Sequence, residues 1–420
     1  MDKIIINGGN ELNGEVNISS AKNAVLPIIA SSILCSDKVK IKNAPMLEDV
    51  SVITSILQQS GSSINIDKKT NEILIDNNNI RPLDGNSELV RKMRASFLVL
   101  GPMVSKFGVC RLSMPGGCNI GSRPIDLHLK GLKMLGADVN IGHGFVEVKA
   151  KGLKGNKVYL DFPSVGATEN IIMASVLAKG RTIIENAAQE PEITDLVDFL
   201  IKMGANIFGA GTGKIVIDGV DELRGIEYKP IYDRIEAGTF LVAAAITKSK
   251  IKINGINEEH LRPVIAKLKE SGVLINMIDH KSLIVDGRNE RTGVNIKTMP
   301  YPGFPTDMQA QMMSLLSLSR GSSMITETIF ENRFMHVSEL ARMGADIKVD
   351  GRTAFIEGVK RLSGCEVRAT DLRAGAAMIL AGLVADGYTK VTDIYNIDRG
   401  YVKIEDKLRK LGADIERIKE

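Results

Sequence analysis

The chain reads GLKMLGADV at 131–139, and the same phrase returns as FLIKMGANI at 199–207, LARMGADI at 340–347 and KLRKLGADI at 407–415. Two weaker copies, ILQQSGSSI at 56–64 and KLKESGVLI at 267–275, complete a set of six. Their glycines, Gly61, Gly136, Gly204, Gly272, Gly344 and Gly412, stand 75, 68, 68, 72 and 68 residues apart. A near-constant period that fills the chain marks an internal repeat. In each phrase apolar residues at helical spacing mark the last turns of an amphipathic helix. The glycine sits where the residue after a helix needs positive φ. The alternating runs that follow, such as ADVNIGHGFVEV, ANIFGAGTGKIVI and ADIKVDGRTAFI, read as strand pairs closed by Gly-containing turns. GAGTGK at 209–214 is one such turn, because strands flank it on both sides.

A second helix precedes the amphipathic one in every unit, at 26–35, 94–106, 169–179, 237–248, 308–320 and 374–386. These stretches are apolar nearly all round, as helices enclosed by other elements are. Short β-rich pieces follow them, such as KVKIKNA, RTIIENA and KIKING. The expected architecture is therefore α/β, with six βαβαββ repeats, three per domain, and buried helices inside outer sheets. The expected domains are 21–230, holding repeats 1–3, and a discontinuous domain of 1–20 and 231–420, holding repeats 4–6. EYKPIYD (227–233) supplies the linker, and the strand pair in 1–20 is expected to complete the sixth repeat.

Composition narrows the function. The 420 residues are 44% apolar and 25% charged, with 54 basic and 50 acidic side chains, 11 Phe, 7 Tyr and no Trp. That balance argues against a nucleic-acid binder, which needs a basic surface and stacking aromatics. Four Cys without a CxxC pair and five scattered His suggest a reducing cytoplasm and no zinc site. The start lacks the apolar run of a signal peptide, and the longest apolar segments, 240–246 and 376–385, fall well short of the roughly 18 residues a membrane helix needs.

Aligning the repeats gathers the unusual polar residues into two loops, each ahead of a helix. The first carries Lys22, Asn23, Arg91, Arg94, Ser164, Val165, Gly166, Asp233, Arg234, Asp307, Asp371 and Arg373; the second carries Asp49, Cys118, Arg123, Glu190, Arg333 and Arg399. Helix N-termini combined with Arg and Lys make sites for phosphate and carboxylate. Two domains facing across a cleft would join the two sets. Cys118 lies in PGGCNIGSRP, five residues from Arg123, in surroundings that favour a reactive thiolate. Cys35, Cys110 and Cys365 read as packing. Asp307 and Asp371 each follow Thr at a helix mouth, so each is either an N-cap or a base for a hydroxyl nucleophile. Neither a Walker nor a Rossmann phosphate loop is present in the sequence.

The phrases KNAVLP, PGGCNIGSRPIDLH, SVGAT, ENAAQEPEI, DRIEAGTFLVAAA, FPTDMQAQ, ENRFMH, ATDLRA, DRGY and KLRKLGA resemble, along nearly the whole chain, the enolpyruvyl transferase family that acts on UDP-N-acetylglucosamine. The resemblance implies a two-domain inside-out α/β barrel with the active site in the cleft. It implies transfer of the enolpyruvyl group of phosphoenolpyruvate to the 3-hydroxyl of UDP-N-acetylglucosamine by addition and elimination, the first committed step of peptidoglycan synthesis. Carried over by motif, Cys118 would protonate phosphoenolpyruvate and be the residue that the epoxide fosfomycin alkylates, on a loop that closes as a lid. Lys22, Arg123 and Arg399 would hold phosphate and carboxylate, and Asp307 would be the base or orienting group at the sugar hydroxyl. Asn23, Arg94, Arg123, Pro124, Ile125, Asp126, Leu127, Ser164, Val165, Gly166 and Ile329 would line the UDP-sugar site. Asp371 and Arg373 would support the phosphate side, and Arg333 the closed cleft. No cofactor, metal, membrane or nucleic acid is implied, and oligomeric state stays open. Phe97-Leu98 stands where some relatives carry Trp, and Asp161-Phe162 where others carry Lys. Enolpyruvyl transfer to shikimate 3-phosphate and a non-catalytic repeat scaffold are the alternatives.

Overall fold

The computed structural model describes the chain apart from residues 1, 84–93, 115–124, 143 and 420. The six repeat phrases close six amphipathic helices, Glu48–Gln59, Asp126–Met134, Pro191–Met203, Glu258–Glu270, Val337–Arg342 and Ile404–Lys410. The glycine of each phrase lies one or two residues beyond its helix with φ between 90° and 112°. That is a conformation an L side chain adopts only at a cost.

The apolar segments form enclosed helices: Lys22–Ser31, Leu100–Phe107, Val165–Ser175, Arg234–Ile246, Gln309–Leu316 and Leu372–Gly382. In Arg234–Ile246 every residue after Arg234 is buried. Two spans differ from the sequence expectation. The helix expected at 94–106 is divided into a 3-10 turn, Arg94–Val99, and an α-helix from Leu100. Pro102 accounts for the break, because it donates no hydrogen bond and its ring crowds the carbonyl four residues earlier. The third helix begins at Val165 rather than 169, because Ser164 caps it: its hydroxyl accepts from Ala167 N–H.

The chain divides into two compact units, one of Met1–Ser19 and Tyr232–Glu420, the other of Ser20–Gly117 and Arg123–Ile231. In the first, three four-stranded sheets surround Arg234–Ile246, Gln309–Leu316 and Leu372–Gly382. In the second, two four-stranded sheets and one of three described strands surround the other three helices. The strands alternate buried and exposed residues, as in Lys214–Asp218, so each sheet has one face on the helices and one in water. The hairpins pair antiparallel, and in each of the five four-stranded sheets a strand from elsewhere in the chain adds in parallel at one edge. Lys157–Tyr159 joins Arg181–Glu185 in this way, and Glu227–Tyr228 joins Val39–Ile41.

The N-terminal strands do not act as a pair. Lys3–Asn7 inserts between Tyr388–Thr392 and Asp414–Ile418 and completes the sixth repeat. Asn13–Asn17 instead runs parallel to Lys250–Asn254, in the sheet of the fourth. In the fourth repeat the parallel edge strand thus comes from the chain start. No described helix is long and apolar enough to cross a membrane.

The repeat glycines give a graded test. A Cβ on Gly204 would meet nothing within 4 Å, whereas one on Gly61 would lie 2.5 Å from the Asn79 carbonyl oxygen. Gly204→Ala should cost the backbone penalty alone, about 1–2 kcal/mol. Gly61→Ala should cost more, as read from urea midpoints. Equal losses would contradict the steric difference.

Candidate active site

In the unit of Ser20–Gly117 and Arg123–Ile231, Lys22 opens its helix and its Nζ lies 2.7 Å from Asp49 Oδ2, with both side chains largely buried. Asp49 sits in the first turn of Glu48–Gln59, where the helix dipole favours a carboxylate. Asn23 is exposed. Ser164 caps the helix that Val165 and Gly166 begin, and both of those residues are half-buried. A Cβ on Gly166 would come 3.2 Å from the His128 ring. Glycine therefore lets the start of that helix approach the helix Asp126–Met134, at whose mouth Ile125, Asp126 and Leu127 lie.

Asn170, absent from the sequence reading, ties this region together. Its amide donates to Phe97 O at 3.0 Å and lies 2.9 Å from His128 Nδ1, and its Oδ1 accepts from Gly101 N at 2.7 Å. Phe97 is buried edge-on against His128, with ring centroids 5.3 Å apart. Lys130 Nζ pairs with Asp161 at 2.7 Å, and Phe162 is exposed. Arg94 opens the 3-10 turn. Cys118, Arg123 and Pro124 lie outside the described residues, as does Arg91. Cys35 and Cys110 are buried, and burial pushes the Cys35 thiol up to about 11, consistent with packing roles.

In the other unit, Asp307 lies in a short 3-10 turn, Thr306–Met308, ahead of Gln309–Leu316. Its Oδ1 accepts from Arg333 Nη2 at 2.9 Å and its Oδ2 from Arg373 Nη2 at 2.8 Å. Both arginines are 3% exposed, while the Asp307 side chain is 26% exposed. The carboxylate is thus gripped from behind and presents its outer side. Burial opposes the Arg373 charge, but Asp307, Tyr401 and Asp233 outweigh it and hold the guanidinium well above its ordinary range. Arg373 Nε and Nη1 meet no hydrogen-bond partner among the described residues, and the group lies 5.5 Å from the centre of the Tyr401 ring.

Asp371 resolves the other way. Its Oδ1 accepts from Arg373 N at 2.8 Å and Ala374 N at 3.0 Å, a helix cap that also sets the backbone of Arg373. Arg399 is half-buried just past the helix Tyr395–Asp398. Ile329 is half-buried in the loop leading to Arg333. The structure therefore brings Asp307, Arg333 and Arg373 into direct contact and seats Asp371 at the base of the last.

Four supporting residues, Gln311, Thr239, Tyr401 and Glu327, were missed from the sequence. Gln311 Nε2 donates to the Asp307 carbonyl at 2.9 Å and lies 3.3 Å from both Thr239 Oγ1 and Tyr401 Oη. Tyr401 and Thr239 hydroxyls are 2.9 Å apart. Glu327 is buried beneath the Ile329 loop. No described group of His, Cys, Asp and Glu could hold a metal ion.

His336 lies fully buried in the same region. Burial pushes its imidazole from 6.5 down to about 4, with Asp371 opposing and Arg333 adding to the effect. The unfolded chain takes the proton first, so stability falls as pH drops below 6.5 and levels off near 4. The contribution is roughly 2–3 kcal/mol between pH 6.5 and 4.5. His336→Gln should flatten that part of the stability profile in urea titrations. An unchanged slope would contradict a neutral buried imidazole.

A family model described as EPSP synthase (3-phosphoshikimate 1-carboxyvinyltransferase) matches residues 6–408. UDP-N-acetylglucosamine 1-carboxyvinyltransferase 1 of Clostridium acetobutylicum is 66% identical over 419 residues, covering 100% of both chains. UDP-N-acetylglucosamine 1-carboxyvinyltransferase 2 of Clostridium tetani is 66% identical over 418 residues, again covering 100% of both. Among solved structures, the enolpyruvyl transferase NikO from Streptomyces tendae superimposes with a TM-score of 0.90 at 25% identity, over 99% of this chain and 98% of that one. EPSP synthase from Acinetobacter baumannii shares the fold, with a TM-score of 0.78 at 19% identity over 100% of both chains. Identity at this level over the full length, with the fold shared throughout, establishes that the chain belongs to the enolpyruvyl transferase family, in the branch of the UDP-N-acetylglucosamine 1-carboxyvinyltransferases.

Proposed function

We propose that the protein transfers the enolpyruvyl group of phosphoenolpyruvate to the 3-hydroxyl of UDP-N-acetylglucosamine and releases phosphate, in the cytoplasm, as the first committed step of peptidoglycan synthesis. The observation that carries the reading is the grip of Arg333 and Arg373 on Asp307. A hydroxyl is a weak nucleophile and needs a positioned base. Asp307 is held at both oxygens by cations and still reaches solvent, which suits it to accept or orient the sugar hydroxyl proton.

In the proposed sequence the Cys118 thiol gives its proton to the methylene carbon of phosphoenolpyruvate. The neighbouring carbon becomes electrophilic, the sugar oxygen bonds to it, and the hydroxyl proton passes to Asp307. The tetrahedral intermediate carries phosphate, carboxylate and sugar on one carbon. Elimination returns a methyl proton to the thiolate as the carbon–oxygen bond to phosphate breaks and the double bond re-forms, and the departing phosphate takes the proton from Asp307. Lys22, Arg123 and Arg399 hold the phosphate and carboxylate, with Asp371 and Arg373 supporting the phosphate side and Arg333 the closed state. Asn23, Arg94, residues 123–127, Ser164 to Gly166 and Ile329 line the UDP-sugar site. Two reagents become one oriented pair, which removes the entropic cost of bringing them together at the moment of reaction.

The test is phosphate release from phosphoenolpyruvate, offered UDP-N-acetylglucosamine or shikimate 3-phosphate. Release with the UDP-sugar alone is expected. Asp307→Asn should lower kcat by about 10²–10⁴-fold, and Cys118→Ser should slow turnover severely. Release only with the shikimate ester would move the chain to the other acceptor, and no release with either would overturn the reading.

A further inference from the structure

We infer that Glu327 is a positioning residue for the reaction: a single buried carboxylate that sets both the turn carrying Asp307 and the loop carrying Ile329 and Arg333. The inference rests on the role proposed for Asp307. Glu327 is 1% exposed and follows directly on the strand Ser322–Thr326. Its two oxygens serve different segments. Oε2 accepts from the Thr306 hydroxyl at 2.9 Å, on the residue before Asp307. Oε1 accepts from the Thr298 hydroxyl at 2.9 Å, from Ile329 N at 2.8 Å and from Phe330 N at 3.2 Å. Four neutral donors thus satisfy the carboxylate, three at Oε1 and one at Oε2.

These bonds close a ring around the base. From Oε2 the path runs through Thr306 to Asp307. From Oε1 it runs through Phe330, whose ring lies 5.4 Å from the Arg333 guanidinium, and through Arg333 back to the Asp307 carboxylate. Thr298 anchors the ring to the adjacent edge strand of the same sheet, Ile296–Lys297, since its hydroxyl also accepts from Thr328 N at 2.9 Å and its carbonyl accepts from the Thr328 hydroxyl at 2.6 Å. Displacing Glu327 therefore moves the base and one of its two cations together. Misplacement of a catalytic group by an ångström costs up to about a hundredfold in rate. The glutamine isostere is disruptive here, because it replaces one acceptor with a donor facing another donor.

The division between the oxygens gives separable outcomes. Thr306→Val deletes only the arm to Asp307: kcat should fall at least about tenfold, with KM for UDP-N-acetylglucosamine within about twofold of wild type, and Thr306→Ser, which restores the hydroxyl, should return kcat to near wild type. Glu327→Gln loosens both arms, so kcat should fall and KM for the UDP-sugar should rise. In the same variant the amides of Ile329 and Phe330 should exchange hydrogen faster than in wild type. Wild-type kcat in Thr306→Val, a Thr306→Ser variant as slow as the valine, or unchanged exchange at Ile329 and Phe330 in Glu327→Gln would each overturn the inference. A wild-type protein without turnover would instead contradict the proposed reaction, and the exchange measurement would still decide whether Glu327 holds the loop.

Discussion

One carboxylate held by two buried guanidinium groups governs the arrangement of the helix mouths around Asp307 in the unit of Met1–Ser19 and Tyr232–Glu420. Arg333 and Arg373 are withdrawn from water, and the negative charge that compensates both is Asp307. Taking a cation out of water costs several kcal/mol unless a close partner returns it. The position of Asp307 is therefore over-determined: its two oxygens answer to different arginines, its carbonyl is held by Gln311, and its preceding residue by Glu327. In its proposed role as base, Asp307 costs little reorganisation at the moment of reaction, because the folding of the unit has already oriented it.

The repeat explains how this residue became available. Each of the three enclosed helices of that unit opens on an aspartate: Asp233, Asp307 and Asp371. Asp233 and Asp371 accept hydrogen bonds from backbone N–H groups two and three residues on, and are spent as helix caps. Asp307 makes no such cap, because a 3-10 turn intervenes before its helix and turns the carboxylate towards the arginines. Three equivalent positions in one architecture thus carry two carboxylates spent as caps and one turned towards two arginines, which is the one proposed as the base. The cap at Asp371 serves the same end, since it fixes the backbone from which Arg373 reaches back to Asp307.

Much of the architecture was legible in advance because it follows from short-range patterns. The six glycines take the left-handed conformation that a helix stop requires, and the enclosed helices are buried as their uniform apolarity demands. The destination of Asn13–Asn17 was not legible, since a strand's parallel partner is chosen by a sheet more than two hundred residues away. The site divides similarly. Asp307, Arg333 and Arg373 stood out as charges in loops before helices, but whether Asp307 or Asp371 was a cap depended on one local turn. Asn170 and Glu327 gave no signal, because their meaning lies in partners far along the chain, 69 and 73 residues for the former and 21 and 29 for the latter. A glutamate followed by Thr-Ile-Phe-Glu-Asn reads as a surface residue until the strand end that buries it is known.

The chemistry proposed for the Asp307 site makes a new ether bond on the sugar, and that bond can be observed directly. Incubation with UDP-N-acetylglucosamine and carbon-13-labelled phosphoenolpyruvate, followed by nuclear magnetic resonance of the nucleotide product, reads where the label goes. The account predicts a vinyl ether carbon coupled to the proton on sugar carbon 3, formed by the wild-type enzyme and all but lost in Asp307→Asn. Label confined to phosphoenolpyruvate or its hydrolysis products, or a vinyl ether formed at wild-type rate by the asparagine variant, would contradict it.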